Sequence, residues 1–193
     1  MDIVLSGIRP TGQLHLGNYF GALRNFVRMQ HDAKCYFFIA DYHALTTHDD
    51  PTRLHENVRT VLAEYLAAGI DPDVATVYVQ SDVPQVTELS LLLGMHAYVG
   101  ELERTASFKD KVRKNPSNVN AGLLTYPVLM AADILLHRAT HVPVGKDQEQ
   151  HLELTRVFAR RFNNMYGVEY FPESQPYNFG ADLVKIPGLD GTG

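Results

Sequence analysis

The most informative segment of the chain is Pro10-Thr11-Gly12-Gln13-Leu14-His15-Leu16-Gly17-Asn18, a glycine-containing loop that leads into a predicted helix. Before it stands Ile3-Val4-Leu5, which we predict as a buried strand ended by Ser6-Gly7, and after it a helical pattern runs from about Asn18 to Met29. A loop at this place lets the backbone approach a ligand, and the helix start offers free N–H groups to phosphates. Local chemistry alone favours a nucleotide-binding loop no more than a plain turn with Asn18 capping a helix.

Two more apolar segments extend the pattern, Cys35-Tyr36-Phe37-Phe38-Ile39-Ala40 and Thr76-Val77-Tyr78-Val79-Gln80. Between them, Asp50-Pro51 opens an amphipathic helix that Gly69 ends. Near-continuous apolar strands that alternate with helices predict an α/β fold, a Rossmann-like domain with a central parallel sheet covered on both faces. From Phe171 to Gly193 the chain is rich in Pro and Gly, and we predict a loop with one short strand at Leu183-Val184-Lys185-Ile186.

The composition is that of an ordinary globular protein, with 193 residues, 45% hydrophobic and 20% charged. A net charge of −5 argues against a surface that is basic throughout and binds nucleic acid everywhere. The single cysteine, Cys35, excludes an internal disulfide and fits a reducing compartment. No apolar run approaches the roughly 20 residues of a membrane span. We therefore expect a soluble cytoplasmic protein without a membrane partner.

A carboxylate stands out in the apolar segment from Gly122 to His137. At helical spacing, one face would carry Tyr126, Met130, Asp133, Ile134 and His137. A buried Asp133 without a hydrogen-bond donor would cost several kcal/mol. Spacing alone favours an ion pair with an arginine or lysine of another element. The alternative is a carboxylate that receives the N–H of a ligand in an apolar slot, and an indole ring matches that chemistry.

The loop Pro10-Thr11-Gly12-x-x-His15-Leu16-Gly17-Asn18 resembles the nucleotide-binding signature of class I aminoacyl-tRNA synthetases. Those enzymes usually carry a second histidine at the position of Asn18, and asparagine there is typical of their tryptophan branch. The resemblance implies that His15 lies by the phosphates of ATP. It also implies a set of residues that line the nucleotide: Arg9, Pro10, Thr11, Gly17 and Asn18.

The segment from Leu124 to Leu135 closely resembles the amino-acid-binding helix of tryptophanyl-tRNA synthetases. The resemblance implies that Asp133 recognises the indole nitrogen and that Tyr126 helps to hold the α-amino group. A site whose buried polar group hydrogen-bonds the ligand can reject a ligand that lacks the partner group by ~10⁴-fold or more. This would separate tryptophan from phenylalanine. The other residues expected around the amino acid are Leu5, Gly7, Arg9, His43, Met130, Ile134, Val142 and Val144.

Two further segments are ambiguous by themselves and gain meaning from the resemblance. Val144-Gly145-Lys146-Asp147-Gln148, otherwise a turn before a helix, resembles the family's Gly-x-Asp-Gln motif. That motif implies that Asp147 holds the ribose hydroxyls of ATP and that Gln148 holds the ammonium of the amino acid. The other residues expected near ATP are Gly145, Lys146 and Leu183. The basic run from Arg104 to Lys114, otherwise a solvated face, would bring Lys111 to the triphosphate.

The implied activity is the ATP-dependent formation of tryptophanyl-adenylate and the transfer of the tryptophanyl group to its tRNA. Mg²⁺ would accompany ATP. The histidines His137, His141 and His151 could be considered as metal ligands, but no protein-bound structural metal is expected. The stretch from Gly100 to Thr105 resembles one near the family's dimer interface, so we expect a homodimer. Three alternatives remain open: a tyrosyl-tRNA synthetase, a nucleotidyltransferase and a non-catalytic paralogue on the same fold.

Residues 1–193 are expected to be one catalytic nucleotide-binding domain. Family members continue into a lysine-rich Lys-Met-Ser-Lys-Ser loop, which stabilises the pyrophosphate leaving group, and into a helical domain that binds tRNA. We expect this chain to be truncated before both. We therefore also expect it to bind tryptophan and ATP better than it turns them over.

Overall fold

The computed structural model describes residues 1–46, 51–145 and 148–177. Its centre is a parallel five-stranded sheet in the order β3-β2-β1-β4-β5. The strands are β1 (Ile3–Ile8), β2 (Lys34–Ile39), β3 (Thr76–Val79), β4 (His141–Val142) and β5 (Gln175–Pro176). The prediction of an α/β fold with a central parallel sheet is confirmed.

Strand β1 continues past its predicted end at Ser6-Gly7, because both residues pair with β2, Ser6 with Phe37 and Gly7 with Phe38. Glycine is required at position 7 by close packing. A Cβ atom there would lie 2.8 Å from the ring of Phe38, closer than real Cβ contacts allow. Gly7, which was predicted to end the strand, therefore lies within it and leaves room for the ring of Phe38 to pack against the backbone.

The helices vary in length and cover both faces of the sheet. In chain order they are α1 (Leu16–Asn18), α2 (Arg24–Met29), α3 (Asp41–Leu45), α4 (Leu54–Ala68), α5 (Gln85–Gly94), α6 (Val99–Glu103), α7 (Ala106–Lys114), α8 (Ala121–Leu136) and α9 (Glu149–Tyr166). A π-helical turn, Tyr19–Leu23, joins α1 to α2, and 3₁₀ turns span Pro51–Arg53 and Gln80–Asp82. Among the described residues, no helix is both long and apolar enough to span a membrane.

The predicted helix over 18–29 is therefore a composite that begins at Leu16. The predicted helix opening at Asp50-Pro51 begins as a 3₁₀ turn, and its α-helical part starts at Leu54. Asp50 lies outside the described residues. Gly69 ends α4 as expected, in the left-handed conformation that glycine adopts without a steric penalty.

Apolar side chains on the two faces of the sheet pack against different helices. On one face, Val4 and Phe37 belong to the same cluster as Phe26 of α2 and Val61 of α4. On the other face, Leu5 and Phe38 pack with Ile134 of α8 and Leu152 of α9. The strands are thus buried on both faces, which is why they are apolar without strict alternation.

The last strand, β5, was not predicted. Its two residues carry no apolar pattern, and its pairing depends on backbone bonds from Gln175 N to Thr140 O at 2.8 Å and from Tyr177 N to Val142 O at 2.9 Å. The predicted strand at 183–186 lies outside the described residues.

Candidate active site

A cleft of about 510 Å³ opens at the carboxyl end of β1 and β2, between the sheet and α8. This is where parallel α/β sheets bind ligands, because the loops that follow adjacent strands diverge there. The structure brings most of the predicted site residues into the lining of this cleft: Leu5, Gly7, Arg9, Thr11, Gly17, Asn18, His43, Tyr126, Met130, Asp133, Ile134, Val142, Val144 and Gln148.

The carboxylate of Asp133 lies in the wall of the cleft and is 1% exposed. The Nε2–H of His43 donates to Oδ2 at 2.8 Å. The side-chain amide of Gln80 donates to the same carboxylate, with its nitrogen 2.9 Å from Oδ1 and 3.0 Å from Oδ2. In the part of the chain that the structure describes, neither arginine nor lysine pairs with Asp133. Among the described residues, histidine and glutamine supply the donors in place of the arginine or lysine that spacing favoured.

Gln80 is a member of this site that sequence reasoning missed. It follows β3 at the edge of the sheet and is fully buried. A polar residue directly after an apolar strand was the available signal, because such residues reach the ligand-binding edge of a parallel sheet. Its partner Asp133 stands 53 residues later, which no local pattern reveals.

Apolar side chains form the rest of the inner cleft. Leu5 and Ile134 are almost completely buried, and Met130, Val142 and Val144 pack in the same cluster. Phe38, which was not predicted as a site residue, also lines the cleft beside Gly7. The inner cleft therefore combines a slot for an apolar ring with one buried carboxylate.

The glycine-containing loop is organised by the first turn of α1. His15 is the N-cap: its Nδ1 accepts from Asn18 N at 3.3 Å, and Asn18 Oδ1 accepts from His15 N at 3.1 Å. The prediction that Asn18 caps the helix is therefore wrong, because His15 is the cap and Asn18 is the third residue of the turn. His15 is exposed and lines a neighbouring apolar groove with Leu14 and Tyr19 rather than the cleft. Nor does buried Pro10 or exposed Gly145 line the cleft.

Lys111 lies in an adjoining depression that shares Arg9, Tyr126 and Gln148 with the cleft. Its ammonium nitrogen is 4.8 Å from the centroid of the Tyr126 ring, a cation–π contact. Burial, and then the neighbouring Arg9 guanidinium, lower the pKa of Lys111. Lys111 and Arg9 thus place two positive charges beside the cleft, which could pair with the negative charge of a bound phosphate chain.

His137 does not join the cleft, although helical spacing placed it on the same face as Asp133. Its Nδ1–H donates to the backbone oxygen of Asp133 at 3.1 Å, and its ring packs against Tyr78 and Tyr36. Burial lowers the pKa of His137. The other two histidines considered as metal ligands have separate partners, Thr140 for His141 and Ser107 for His151.

Three predicted site residues, Lys146, Asp147 and Leu183, lie outside the described residues. Their assignment to ATP remains a prediction from the resemblance. Gln148, directly after two of them, lines both the cleft and the depression around Lys111.

Comparisons with known proteins find a family model, curated relatives and solved structures that match most of this chain. The model of a family described as class I tRNA synthetases (W and Y) matches residues 2–192. A tryptophan–tRNA ligase from Porphyromonas gingivalis is 67% identical over 100% of this chain and 59% of its own length. One from Fusobacterium nucleatum is 52% identical over 97% of the chain and 57% of its own length. A crystal structure of the tryptophanyl-tRNA synthetase from Campylobacter jejuni, complexed with ADP and tryptophan, superposes with a TM-score of 0.90 at 44% identity, covering 98% of this chain and 59% of that one.

Proposed function

Because this chain belongs to the family of class I tRNA synthetases (W and Y), we propose that it activates L-tryptophan with ATP to give tryptophanyl-adenylate and pyrophosphate. Transfer of the tryptophanyl group to its tRNA is the second step of the proposed activity. The chain spans about 59% of the length of the Porphyromonas gingivalis tryptophan–tRNA ligase that it matches. That shared portion contains the cleft, so the proposal assigns substrate recognition to it.

One observation carries the choice of tryptophan, the buried carboxylate of Asp133 in an otherwise apolar slot. An indole has a single N–H donor on an apolar double ring, and Asp133 has acceptor capacity left beside its two protein donors. A phenylalanine ring offers no donor and would leave this acceptor capacity unused, which disfavours phenylalanine relative to tryptophan. Tyrosine carries a hydroxyl, so its exclusion must also use the shape of the slot.

The chemistry requires position and charge rather than a covalent nucleophile from the protein. The carboxylate of the amino acid attacks the α-phosphorus of ATP, a bond forms between carboxylate oxygen and phosphorus, and pyrophosphate leaves. Tyr126 and Gln148 hold the ammonium group at the mouth of the slot, while Arg9, Thr11 and the turn at Gly17-Asn18 face the nucleotide. Lys111 neutralises charge on the phosphate chain, and ATP enters with Mg²⁺. Such positioning and charge stabilisation supply most of the catalysis in reactions of this type.

We also propose that the chain forms a homodimer. Five large apolar residues, which we call the α5–α6 patch, are more than half exposed on and between α5 and α6: Leu91, Leu92, Met95, Tyr98 and Val99. Leucine, methionine and tyrosine gathered at one site are typical of an interface core. The stretch Gly100–Thr105 that resembles the family's dimer region follows directly. The proposed compartment is the cytoplasm, to which the single buried thiol of Cys35 is suited.

Free tryptophan provides the first test, because the chain contains no tryptophan of its own. We expect the emission of the free amino acid to shift when the wild-type chain is added, and added tyrosine to leave the bound fraction unchanged. In Asp133→Asn, the new amide N–H would face the donors of His43 and Gln80, so tryptophan affinity is expected to fall about 100-fold.

Circular dichroism of Asp133→Asn would establish that the variant is folded. Displacement of bound tryptophan by equimolar tyrosine would instead assign the slot to a phenol ring. An unchanged emission in the presence of folded wild-type chain would contradict the assignment of the cleft. Tryptophan-dependent exchange of pyrophosphate into ATP then tests activation itself.

A further inference from the structure

The contacts behind the cleft assign a role to Gln80. We propose that Gln80 is a positioning residue for substrate specificity, holding the Asp133 carboxylate so that one oxygen is presented to the ligand N–H. The inference rests on the proposed function and adds to it a residue that does not line the cleft. It concerns the discrimination between ligands with and without an N–H donor, not the chemical step.

Counting acceptor sites shows which oxygen of Asp133 remains available. Oδ2 receives two donors, His43 Nε2 at 2.8 Å and Gln80 Nε2 at 3.0 Å. Oδ1 receives only Gln80 Nε2, at 2.9 Å. Each carboxylate oxygen offers about two acceptor sites. The remaining capacity is therefore on Oδ1, and without Gln80 the carboxylate would be held by His43 alone and could tilt Oδ1 away from the ligand N–H.

The backbone around Gln80 is fastened to the same part of the sheet as His43. Asp41, the first residue of α3 and 7% exposed, accepts at Oδ1 from Ser81 N at 3.1 Å and from Tyr42 N at 3.0 Å. One carboxylate thereby joins the turn after β3 to the helix that carries His43. The two donors to Asp133 thus come from two strand ends that are tied to each other.

The orientation of the Gln80 amide follows from chemistry. Its oxygen facing a carboxylate would be repulsive, so the nitrogen must face Asp133. Gln80 Oε1 is then buried, and it has no hydrogen-bond partner among the described residues. An unsatisfied buried acceptor costs stability, which is expected where a side chain is kept for the ligand rather than for the fold.

The decisive measurement compares tryptophan with benzothienyl-alanine, a ligand of nearly the same shape in which sulfur replaces the indole N–H. Each dissociation constant is obtained by titration or by displacement, following tryptophan emission. We expect the wild-type chain to prefer tryptophan by about 100-fold or more. In Gln80→Met, an apolar side chain of similar length, the preference is expected to fall about tenfold, mainly through weaker tryptophan binding.

Gln30 provides a matched control. It is also buried, and its amide donates to the backbone oxygens of Val27 and Gly69, away from the cleft. Gln30→Met should lose stability and keep the wild-type preference. Gln80→Asn retains the amide but withdraws it by one methylene, so its preference should lie between those of the wild type and Gln80→Met.

The outcomes separate the two proposals. A wild-type chain that binds both ligands equally contradicts the proposed function of the cleft. A wild-type preference that Gln80→Met and Gln80→Asn retain in full overturns the role of Gln80 alone. If neither Gln80 variant folds while Gln30→Met does, Gln80 serves the fold and the inference is equally overturned.

Discussion

At the scale of single residues, the site depends on few side chains whose surroundings determine their chemistry. Asp133 is useful because the fold surrounds it with two donors and no lysine or arginine in the described chain. A strong cation at the same distance would occupy the acceptor capacity that a ligand needs. Lys111 shows the complementary case, a cation placed over an aromatic ring rather than against a carboxylate.

Lys111 carries a prediction about ATP. In Lys111→Met, ATP affinity is expected to weaken about tenfold or more, because a charge-assisted contact to phosphate is lost, while tryptophan affinity stays unchanged. The pKa of Lys111 is lowered, and only the protonated ammonium attracts phosphate. Wild-type ATP affinity should therefore begin to fall at a lower pH than an ordinary lysine would allow, and calorimetry should find less of this fall in Lys111→Met.

Lys109 on the same helix is exposed and serves as the control, so Lys109→Met should bind ATP as the wild type does. Equal ATP affinity of the wild type and Lys111→Met would contradict the assignment of Lys111 to the phosphate chain.

At the scale of elements, helix α4 is fastened to the carboxyl edge of the sheet by one hydroxyl. The hydroxyl of Tyr65 accepts from Ile8 N at 3.1 Å and donates to Phe38 O at 3.2 Å, and the side chain is fully buried. Burial raises the pKa of Tyr65 far above its usual range, so the group stays neutral and keeps its proton to donate. This contact joins the ends of β1 and β2 directly beneath the cleft.

Replacing Tyr65 by phenylalanine leaves two buried backbone groups without that partner. The free energy of unfolding should fall by about 1–3 kcal/mol, measured by urea denaturation with an unchanged slope. Tyr166→Phe, at a position that is 60% exposed, should change stability by less than about 0.5 kcal/mol. Equal stability of both variants would show that water or another group satisfies Ile8 and Phe38.

At the scale of the whole molecule, the α5–α6 patch is an apolar surface that no other part of the described chain covers. Its residues extend from α5 into α6, while Leu93 and Leu102 of the same helices pack inward with α8. Both helices thus contact the domain by one face and present apolar side chains on another. A second copy of the chain would cover that face and bring α8, which carries Asp133, close to the interface.

Leu92→Asp tests the dimer. A carboxylate buried at an apolar interface should weaken association at least about 100-fold, which sedimentation velocity would record as a shift from dimer to monomer. Leu66→Asp is the control, since Leu66 is an exposed leucine of α4 outside the patch, and it should leave the dimer intact. A wild-type chain that remains monomeric at high concentration would contradict the proposal.

Much of the architecture was predictable from local pattern. Apolar strands alternating with helices predicted the parallel sheet and its cover on both faces, and Gly69 predicted the end of α4. These features depend on burial along a short stretch of chain, which hydrophobic spacing reports directly. Errors arose where pairing overrides pattern, as at Ser6-Gly7, which continue β1, and at β5, which pairs with β4 through backbone bonds and has no apolar pattern of its own.

Local sequence pattern was enough to predict the fold class, the glycine-containing loop before α1 and the face of α8 that carries Tyr126, Met130 and Asp133. The partners of Asp133 could not be predicted in this way, because they depend on how distant parts of the chain meet in the fold. His43 is 90 residues away from it in the chain and Gln80 is 53 residues away, and each arrives at the end of a different strand. Periodicity reports whether a side chain is buried, but the choice of hydrogen-bond partner depends on which strand ends the sheet order places together.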